Sequence, residues 1–198
     1  MTTIRLVTAP TLDPFTLETA KDHARIDSDA DDAYLRDVII PAAVRSVELA
    51  TGYRMMSQTY RLTMRAFPLS DTTPICVVGA PIASITTFTY TDTAGATVAM
   101  VAGTDYTLDS EATPAALWPY VDTSWPTARD VPNSIILDYV LGVADTADVQ
   151  PMHKLAALEL IDHWYANRAA VEVGQGIAVL PVPETIQRLL RTDRLFGF

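Results

Sequence analysis

The sequence contains a single cysteine, Cys76, among its 198 residues. One thiol excludes a disulfide framework and a zinc site built on several cysteines, and it fits a protein made in a reducing cytoplasm. Apolar runs are also short, since none approaches the ~20 residues that a membrane-spanning helix needs. The first residues, MTTIRLVTAPTLDPF, lack the apolar core of a signal peptide. We therefore expect a soluble protein with no membrane partner.

Cations are scarce relative to carboxylates. The chain has 14 Lys+Arg against 24 Asp+Glu, which gives a formal net charge of −10. Residues 67–150 contain ten carboxylates and one cation, Arg129, so this block is expected to be the acidic part of the molecule. Proteins bind the DNA backbone by replacing released counterions with their own cations. The composition therefore argues against affinity for nucleic acid.

Helical periodicity is strongest in the first quarter of the chain. Residues 16–25 predict a short amphipathic helix with Thr16 as its N-cap. Residues 33–51 predict a longer helix that bends at Pro41, because proline lacks an N–H and its ring collides with the preceding turn. Gly52 stands where this helix should end. The side chains expected to face the core are Leu35, Val38, Ile39, Ala42, Ser46 and Leu49.

The middle of the chain has the alternation and β-branched composition of strands. It predicts an antiparallel β-rich block, in which the stretch 117–126, rich in proline and tryptophan, is expected to be a loop. The predicted strands are residues 58–67, 84–91, 97–101, 105–109 and 134–141.

Helical pattern returns over residues 151–168, which begin with a proline suited to the first helical position. Residues 184–191 predict a short last helix, after a segment at 169–183 that we expect to be mobile in the free protein. In the helix at 151–168 the side expected to be apolar comprises Leu155, Leu158, Ile161 and Tyr165, with Leu160 and Trp164 beside them.

Helices thus precede and follow the β-rich block, and each helix needs a partner for its apolar face. We predict an α+β fold, in which a bundle of about four helices carries an antiparallel β-rich domain inserted between the second and third helices. The predicted domains are the N-terminal helices at 1–57, the inserted β-rich domain at 58–150, and the C-terminal helices and tail at 151–198.

No residues form a recognisable catalytic or metal-binding pattern. The four aspartates within residues 27–32 suggest a calcium loop, but the positions where an EF-hand requires glycine and glutamate hold Asp32 and Val38. We expect a solvated loop whose last aspartate caps the following helix. His153 and His163 are ten residues apart, unlike the i, i+4 pair of a helical zinc site. We therefore predict no catalytic residue, no metal ligand and no cofactor.

The last residues combine apolar and cationic side chains, a composition that favours protein interfaces. We predict that this tail binds a partner protein, and the alternative is that it folds back on the core of its own chain. The residues of the predicted partner-binding tail are Arg188, Leu189, Leu190, Arg191, Arg194, Leu195, Phe196 and Phe198.

The order of these segments resembles the phage head–tail connector family, the adaptor rings in the neck of long-tailed phages and of gene transfer agents. No single segment is a specific motif, and the order and spacing across most of the chain carry the resemblance. The segments are TLETAKDHARIDSDADDAYLRDVI at 16–39, AAVRSVELATGYRMMSQTYRLTMRAFP at 42–68, PMHKLAALELIDHWYANRAAV at 151–171 and VPETIQRLLRTDRLF at 182–196.

The resemblance implies a structural protein rather than an enzyme, located in the neck of a virion or virus-like particle. Its implied partners are further copies of the chain in a ring, usually of twelve, the portal protein, the head-completion or stopper protein, and tail components. The family's C-terminal segment engages the portal, which agrees with the composition of the tail. Duplex DNA is implied to pass through the ring without specific binding, and we hypothesise that carboxylates line that channel.

Two other classes of function stay open on the sequence alone. A small acidic enzyme, hydrolytic or metal-dependent, would use the aspartates or histidines and would show carboxylates with strongly perturbed pKa values in a pocket. A DNA-packaging accessory factor would require salt-sensitive DNA binding, against which the net charge argues.

Overall fold

The computed structural model describes residues 2–70 and 73–167. Helices and antiparallel sheets both occur in this part of the chain, so the α+β class predicted from the sequence is confirmed. None of the helices within the described ranges is both long enough and apolar enough to cross a membrane.

The chain divides into two compact units, each assembled from two separate stretches of sequence. The β unit comprises Met1–Thr11 and Met56–Ala144, and the helical unit comprises Leu12–Met55 and the chain from Asp145 onward. The sequence analysis assigned all of residues 1–57 to the helices. The structure corrects this boundary, because an N-terminal strand pairs with the first strand of the predicted β block.

The β unit contains two antiparallel sheets. Its strands are β1 (Thr2–Thr8), β2 (Gln58–Met64), β3 (Ile75–Cys76), β4 (Ile82–Thr91), β5 (Thr97–Ala99), β6 (Tyr106–Asp109), β7 (Ala116–Pro119) and β8 (Ile135–Leu141). The larger sheet has five strands in the order β1-β2-β8-β4-β5, and the smaller has three in the order β3-β7-β6. All five predicted strands are present, as β2, β4, β5, β6 and β8.

The sequence analysis missed the strands β1, β3 and β7. It treated the stretch 117–126 as a loop, but β7 occupies its first residues and is the central strand of the smaller sheet. Leu117 of β7 is fully buried. Pro119 is the last residue of the strand, where its missing N–H interrupts little of the ladder. The pairing is therefore decided by tertiary contacts that local composition does not reveal.

Aromatic side chains dominate the core of the β unit, to which both sheets contribute. Phe67 stacks on Trp125 with ring centroids 5.3 Å apart, and Phe88 meets Tyr106 edge-on at 5.1 Å. In the larger sheet the register places Tyr60 opposite Tyr139, and both are buried. Each aromatic ring removes a large apolar area from water and gains from these offset and edge-on geometries.

The helical unit follows the sequence predictions at two of its caps. Its described helices are α1 (Leu17–Ala24), α2 (Asp32–Tyr34), a π-helical turn (Leu35–Ile39), α3 (Ile40–Thr51) and α4 (Pro151–Ala166). The Thr16 hydroxyl accepts a hydrogen bond from the Thr19 N–H at 3.1 Å, which confirms the predicted N-cap. Gly52 ends α3 with φ +84°, a conformation that favours glycine, and its N–H donates to the Glu48 carbonyl at 3.0 Å.

The π-helical turn lies immediately before Pro41 and changes which side chains face the core. The Ile40 N–H donates to the Leu35 carbonyl, five residues back. The extra residue in this turn rotates everything after it by about 100° relative to a continuous α-helix. Of the predicted stripe, Leu35 and Ile39 are buried. Val38 within the π turn, and Ala42 and Leu49 after it, are exposed, so the prediction is wrong at these positions. The residues of α3 that are buried are Ile40, Ala43, Val47, Glu48 and Thr51.

The buried face of α4 also differs from the prediction. Of the predicted apolar side, Ile161 is buried but Leu155 is 39% exposed. The face that packs in the helical unit comprises His153, Ala156, Ala157, Leu160 and Ile161. Apolar residues occur all round α4, so periodicity alone does not select the buried side. The predicted mobile segment at 169–183 and the predicted helix at 184–191 lie outside the described residues.

Candidate assembly surfaces

The predicted partner-binding tail, residues 188–198, lies outside the residues that the structure describes. Three features of the described chain remain as candidates for a functional surface. They are the carboxylates, the apolar side chains exposed on the helices, and the uncovered strand β1.

Carboxylates of the β unit build its turns. Asp92, Asp105 and Asp109 each accept hydrogen bonds from backbone N–H groups close in sequence. The donors are Ala96 at 2.8 Å to Asp92, Val101 at 2.7 Å to Asp105, and Glu111 and Ala112 at 3.2 and 3.1 Å to Asp109. These hydrogen bonds fix the backbone of the turns. Three carboxylates of the β unit thus lie at its turns.

Two arginines that precede the acidic block neutralise two of its carboxylates. Arg61 binds Asp138 bidentately across the β2–β8 pair, at 2.6 and 2.7 Å. Arg65 binds Asp130 through both nitrogens of its fork. The hydrogen bonds with Arg65 lower the pKa of Asp130, and those with Asp138 raise the pKa of Arg61.

The acidity is therefore not confined to the β-rich block, as the sequence analysis expected. The β unit contains four cations and eight carboxylates, and the helical unit contains ten and sixteen. The two units thus carry formal charges of −4 and −6. The difference from the sequence reading arises because the β unit includes Arg5, Arg61 and Arg65 and excludes Asp145 and Asp148.

Three of the four aspartates within residues 27–32 are held by side chains of neighbouring helices. The Lys21 ammonium group donates to Asp29 at 2.5 Å and to Asp32 at 2.8 Å, and the Tyr165 hydroxyl donates to Asp31 at 2.9 Å. These bonds lower the pKa of Asp29 and raise that of Lys21. The carboxylate predicted to cap the following helix, that of Asp32, binds Lys21 instead. The loop thus ties α1 to the start of α2.

The two histidines of α4 have different surroundings. His153 is buried and packs against Tyr53, with ring centroids 5.2 Å apart. A ring nitrogen of His163 is 3.4 Å from the Asn167 side chain. Within residues 2–70 and 73–167, no three side chains of His, Cys, Asp or Glu are grouped as metal ligands would be.

Apolar side chains line the outward side of the long helical segment. Tyr34, Val38 and Leu49 are 40%, 51% and 64% exposed, and Ala42 is exposed between them. With the π turn included, these four residues fall on one side, which differs from the buried side formed by Leu35, Ile39, Ala43 and Val47. At 1.5 Å per residue the row is about 22 Å long. We call Tyr34, Val38, Ala42 and Leu49 the helix ridge.

A second exposed apolar surface lies on α4. Met152 and Leu155, one turn apart, are 44% and 39% exposed. Glu159 and Asp162 continue the same side toward the C-terminal end of the helix. Glu159 is 3.7 Å from His23, whereas the side chain of Asp162 is exposed. We call Met152, Leu155 and Asp162 the α4 face.

The strand β1 is exposed along its whole length. Its register places Ile4 and Leu6 opposite Leu62 and Tyr60, on the side of the sheet that faces the core. Leu62 and Tyr60 are buried, but Ile4 and Leu6 remain 37% and 47% exposed. The core layer therefore ends at β2. Among the described strands, none pairs with the outer edge of β1.

The sequence analysis missed both the helix ridge and β1. The spacing i, i+4, i+8 from Tyr34 to Ala42 was visible, but it overlapped the buried stripe and could not be separated without the π turn. Alternation in Thr2–Thr8 was also visible, with Ile4 and Leu6 on one side and Arg5 on the other. The strand is short and N-terminal, so its partner could not be inferred from composition.

Neither a protein-family model nor a curated protein matches the sequence. A chain from the neck of an empty gene transfer agent particle, computed with C6 symmetry, matches with a TM-score of 0.78 and 19% identity, over 99% of this chain and 97% of that chain. The chain has the fold of a gene transfer agent neck component. A chain of the native particle's virion matches with a TM-score of 0.74 and 20% identity, over 98% of this chain and 96% of that one.

A chain from the native neck computed with C12 symmetry matches with a TM-score of 0.69 and 18% identity, over 99% of this chain and 97% of that chain. Coverage of nearly the whole of both chains means that the likeness includes the β unit as well as the helices. The resemblance inferred from the order of sequence segments is thus confirmed at the level of the fold.

Proposed function

We propose that this protein is a structural connector in the neck of a virion or virus-like particle. It forms a ring, of twelve copies, between the portal and the head-completion or tail proteins, and DNA passes through the ring. The observation that carries the proposal is the fold shared over 98–99% of the chain with virion and neck chains of gene transfer agent particles. Twelve copies are compatible with necks computed with C12 and with C6 symmetry.

In this proposal the helical unit completes a bundle of about four helices, with residues 184–191 as its last helix. The β-rich domain is then an insertion that recruits the N-terminal strand as an edge. The described helices already form an interior, since α3 and α4 each bury one face within the helical unit.

The charge distribution supports passage of DNA without binding. Both units are net negative, and the described arginines of the β unit include Arg61 and Arg65, which are engaged by carboxylates. A surface that has few uncompensated cations releases few counterions from DNA and so has little affinity for it. A surface that repels DNA weakly along its whole length lets the DNA slide past and does not hold it.

The tail is proposed to dock on the portal through its arginines and apolar side chains. The decisive experiment is co-purification with the portal protein of the same particle, comparing the full chain with a chain that ends at Pro183. We expect the full chain to bind and the truncated chain not to bind. A matched control keeps the full length but replaces Arg188, Arg191 and Arg194 with glutamate, which tests charge separately from length.

Absence of binding by the full chain at several protein concentrations would contradict the connector role. Binding that survives truncation would keep the connector role and move the portal site away from residues 184–198.

A further inference from the structure

The strand β1 forms one edge of the larger sheet in the β unit. It pairs with β2 on one side, and the N–H and C=O groups along its other side have no partner among the described residues. Ile4 and Leu6 lie on the core side of the sheet but remain 37% and 47% exposed. A backbone edge of this kind can accept a further strand, with alternate side chains giving specificity.

The other side of the sheet has an unbalanced cation at the same edge. The register places Arg5 opposite Arg61, and Arg61 opposite Asp138. Asp138 binds Arg61 at 2.6 and 2.7 Å, whereas Arg5 has no ion pair within the described chain. Like charges directly opposite each other on neighbouring strands are destabilising. A carboxylate on the outer side of Arg5 would complete a row of two cations and two carboxylates across the sheet.

One segment beyond α4 has the complementary sequence. Residues 171–173 are Val-Glu-Val, whereas residues 4–6 of β1 are Ile-Arg-Leu. Valine favours strands, and successive side chains of a strand point to opposite sides of the sheet. The other two carboxylates of residues 168–198, Glu184 and Asp193, are flanked by proline, threonine or arginine instead of two apolar residues. Only Glu172 in this stretch therefore has an apolar residue on both sides.

We propose that residues 171–173 of a neighbouring copy add to the open edge of β1 as a further strand, with Glu172 opposite Arg5. This inference rests on the proposed ring. In either strand direction the two valines then cover Ile4 and Leu6 on the core side. Each copy offers β1 to one neighbour and its residues 171–173 to the other, which is the head-to-tail contact that a ring of more than two copies requires.

The position of the segment in the chain suits such an exchange. It follows α4, which ends at Ala166, and precedes the proposed portal-binding tail. Since the sequence predicts that 169–183 is mobile in the free protein, strand addition orders part of it during assembly, at a cost in conformational entropy. Ala166 and Val171 can be at most about 18 Å apart. The end of α4 in one copy therefore lies close to β1 of the next.

Disulfide trapping tests which residues pair. Every variant also carries Cys76→Ser, because Cys76 is exposed and is the only cysteine of the sequence. Arg5→Cys with Glu172→Cys puts thiols at opposite positions of the proposed pair, where the Cβ separation permits a disulfide. We expect mild oxidation of the full chain, at concentrations at which it assembles, to produce a ladder of cross-linked oligomers on non-reducing gels.

The control for trapping is Leu6→Cys with Glu172→Cys. Its two thiols lie on opposite sides of the sheet and should give roughly tenfold less cross-linked oligomer. An equal ladder in the control would overturn the proposed register. A disulfide that forms only within one copy would overturn the exchange between copies.

A charge exchange measures what the ion pair contributes to assembly, followed by native mass spectrometry over a concentration series. Arg5→Glu and Glu172→Arg should each raise the midpoint concentration roughly fivefold, and the double variant should return to within about twofold of wild type. Asp193→Arg makes the same charge change as Glu172→Arg and should shift the midpoint by less than about twofold. Additive weakening in the double variant would overturn the pairing of Arg5 with Glu172.

The same series separates failure of this inference from failure of the ring. If the wild type forms rings but the Arg5→Cys and Glu172→Cys variant gives no ladder, the strand addition is wrong and the connector role stands. If the wild type stays monomeric throughout the series, the proposed ring and the strand addition both fail.

Discussion

The two units of this protein are filled with different kinds of side chain. The β unit buries a cluster of large aromatic rings, whereas the helical unit buries mainly aliphatic side chains together with small and polar residues. The buried aromatics of the β unit are Tyr60, Phe67, Phe88, Tyr106, Trp125 and Tyr139. The small or polar residues buried in the helical unit are Ala20, Ala43, Ala156, Ala157, Glu48, Thr51 and His153.

This difference indicates which side chains stabilise each unit. An aromatic ring removes far more apolar area from water than an alanine, so the β unit is stabilised by its own interior. Exposed apolar side chains do not distinguish the two units. The helical unit exposes Tyr34, Val38 and Leu49, and the β unit exposes Leu6 and Val121 among others. We therefore expect core substitutions to cost more in the β unit than in the helical unit.

The largest expected effect is that of Phe88→Ala in the β unit. Phe88 is 3% exposed and contacts three other aromatic rings, so its removal leaves a cavity in a rigid cluster and should cost about 4 kcal/mol of unfolding free energy. The change compared with it in the helical unit is Val47→Ala, a smaller truncation at a fully buried position, with an expected cost of about 2 kcal/mol. Hydrogen exchange of peptides from each unit measures the two costs separately. Equal costs would remove the proposed difference between the interiors.

A smaller effect is expected at Glu48, a buried carboxylate of the helical unit. One of its oxygens accepts a hydrogen bond from the Met55 N–H at 3.0 Å, and Met55 is itself buried. Glu48→Ala leaves that N–H without its acceptor and should cost about 2 to 3 kcal/mol. Glu48→Gln keeps an acceptor oxygen and should cost about half as much. Urea unfolding followed at 222 nm compares the variants, and an equal loss in both would mean that charge, rather than the hydrogen bond, matters.

The sequence predicted those elements whose signals are local. Thr16 and Gly52 mark helix ends through capping chemistry that involves a few neighbouring residues. The strand β8 is recognisable because alternate residues are apolar, and it lies at the centre of the larger sheet. The order of these local elements also led to the resemblance that the shared fold confirms.

Features that depend on long-range contacts were not predictable in the same way. The π turn shifts the buried positions of α3 from Ala42 to Ala43, and no residue type announces such a turn. Recognition of β1 depends on β2, more than 50 residues away, to which it pairs. The candidate surfaces could therefore be identified only from the fold, which shows which apolar side chains remain exposed. Partner binding by the tail was inferred from its composition alone and remains a prediction.

The smallest expected effect concerns the loop that joins α1 to α2, where ionic contacts at the surface replace apolar packing. The hydrogen bonds with Lys21 hold the pKa of Asp29 below its ordinary value of 3.8. Because the lowered pKa belongs to the folded state, this stabilisation is fully present above about pH 4 and is lost as pH falls through the folded pKa. Asp29→Asn should therefore lower Tm slightly at pH 7, and the difference from wild type should vanish near pH 2.

The control for this loop is Asp27→Asn, an exposed aspartate for which the described residues provide no ion pair. It should leave Tm unchanged at both pH values. Thermal unfolding at low salt measures these differences, since added salt screens an exposed pair and should shrink the effect of Asp29→Asn. If Asp29→Asn and wild type still differed in Tm at low pH, the contribution of Asp29 to stability would not depend on its charge. In that case packing, rather than ionic contacts, would stabilise this loop. The helical unit would then resemble the β unit more closely in what stabilises it.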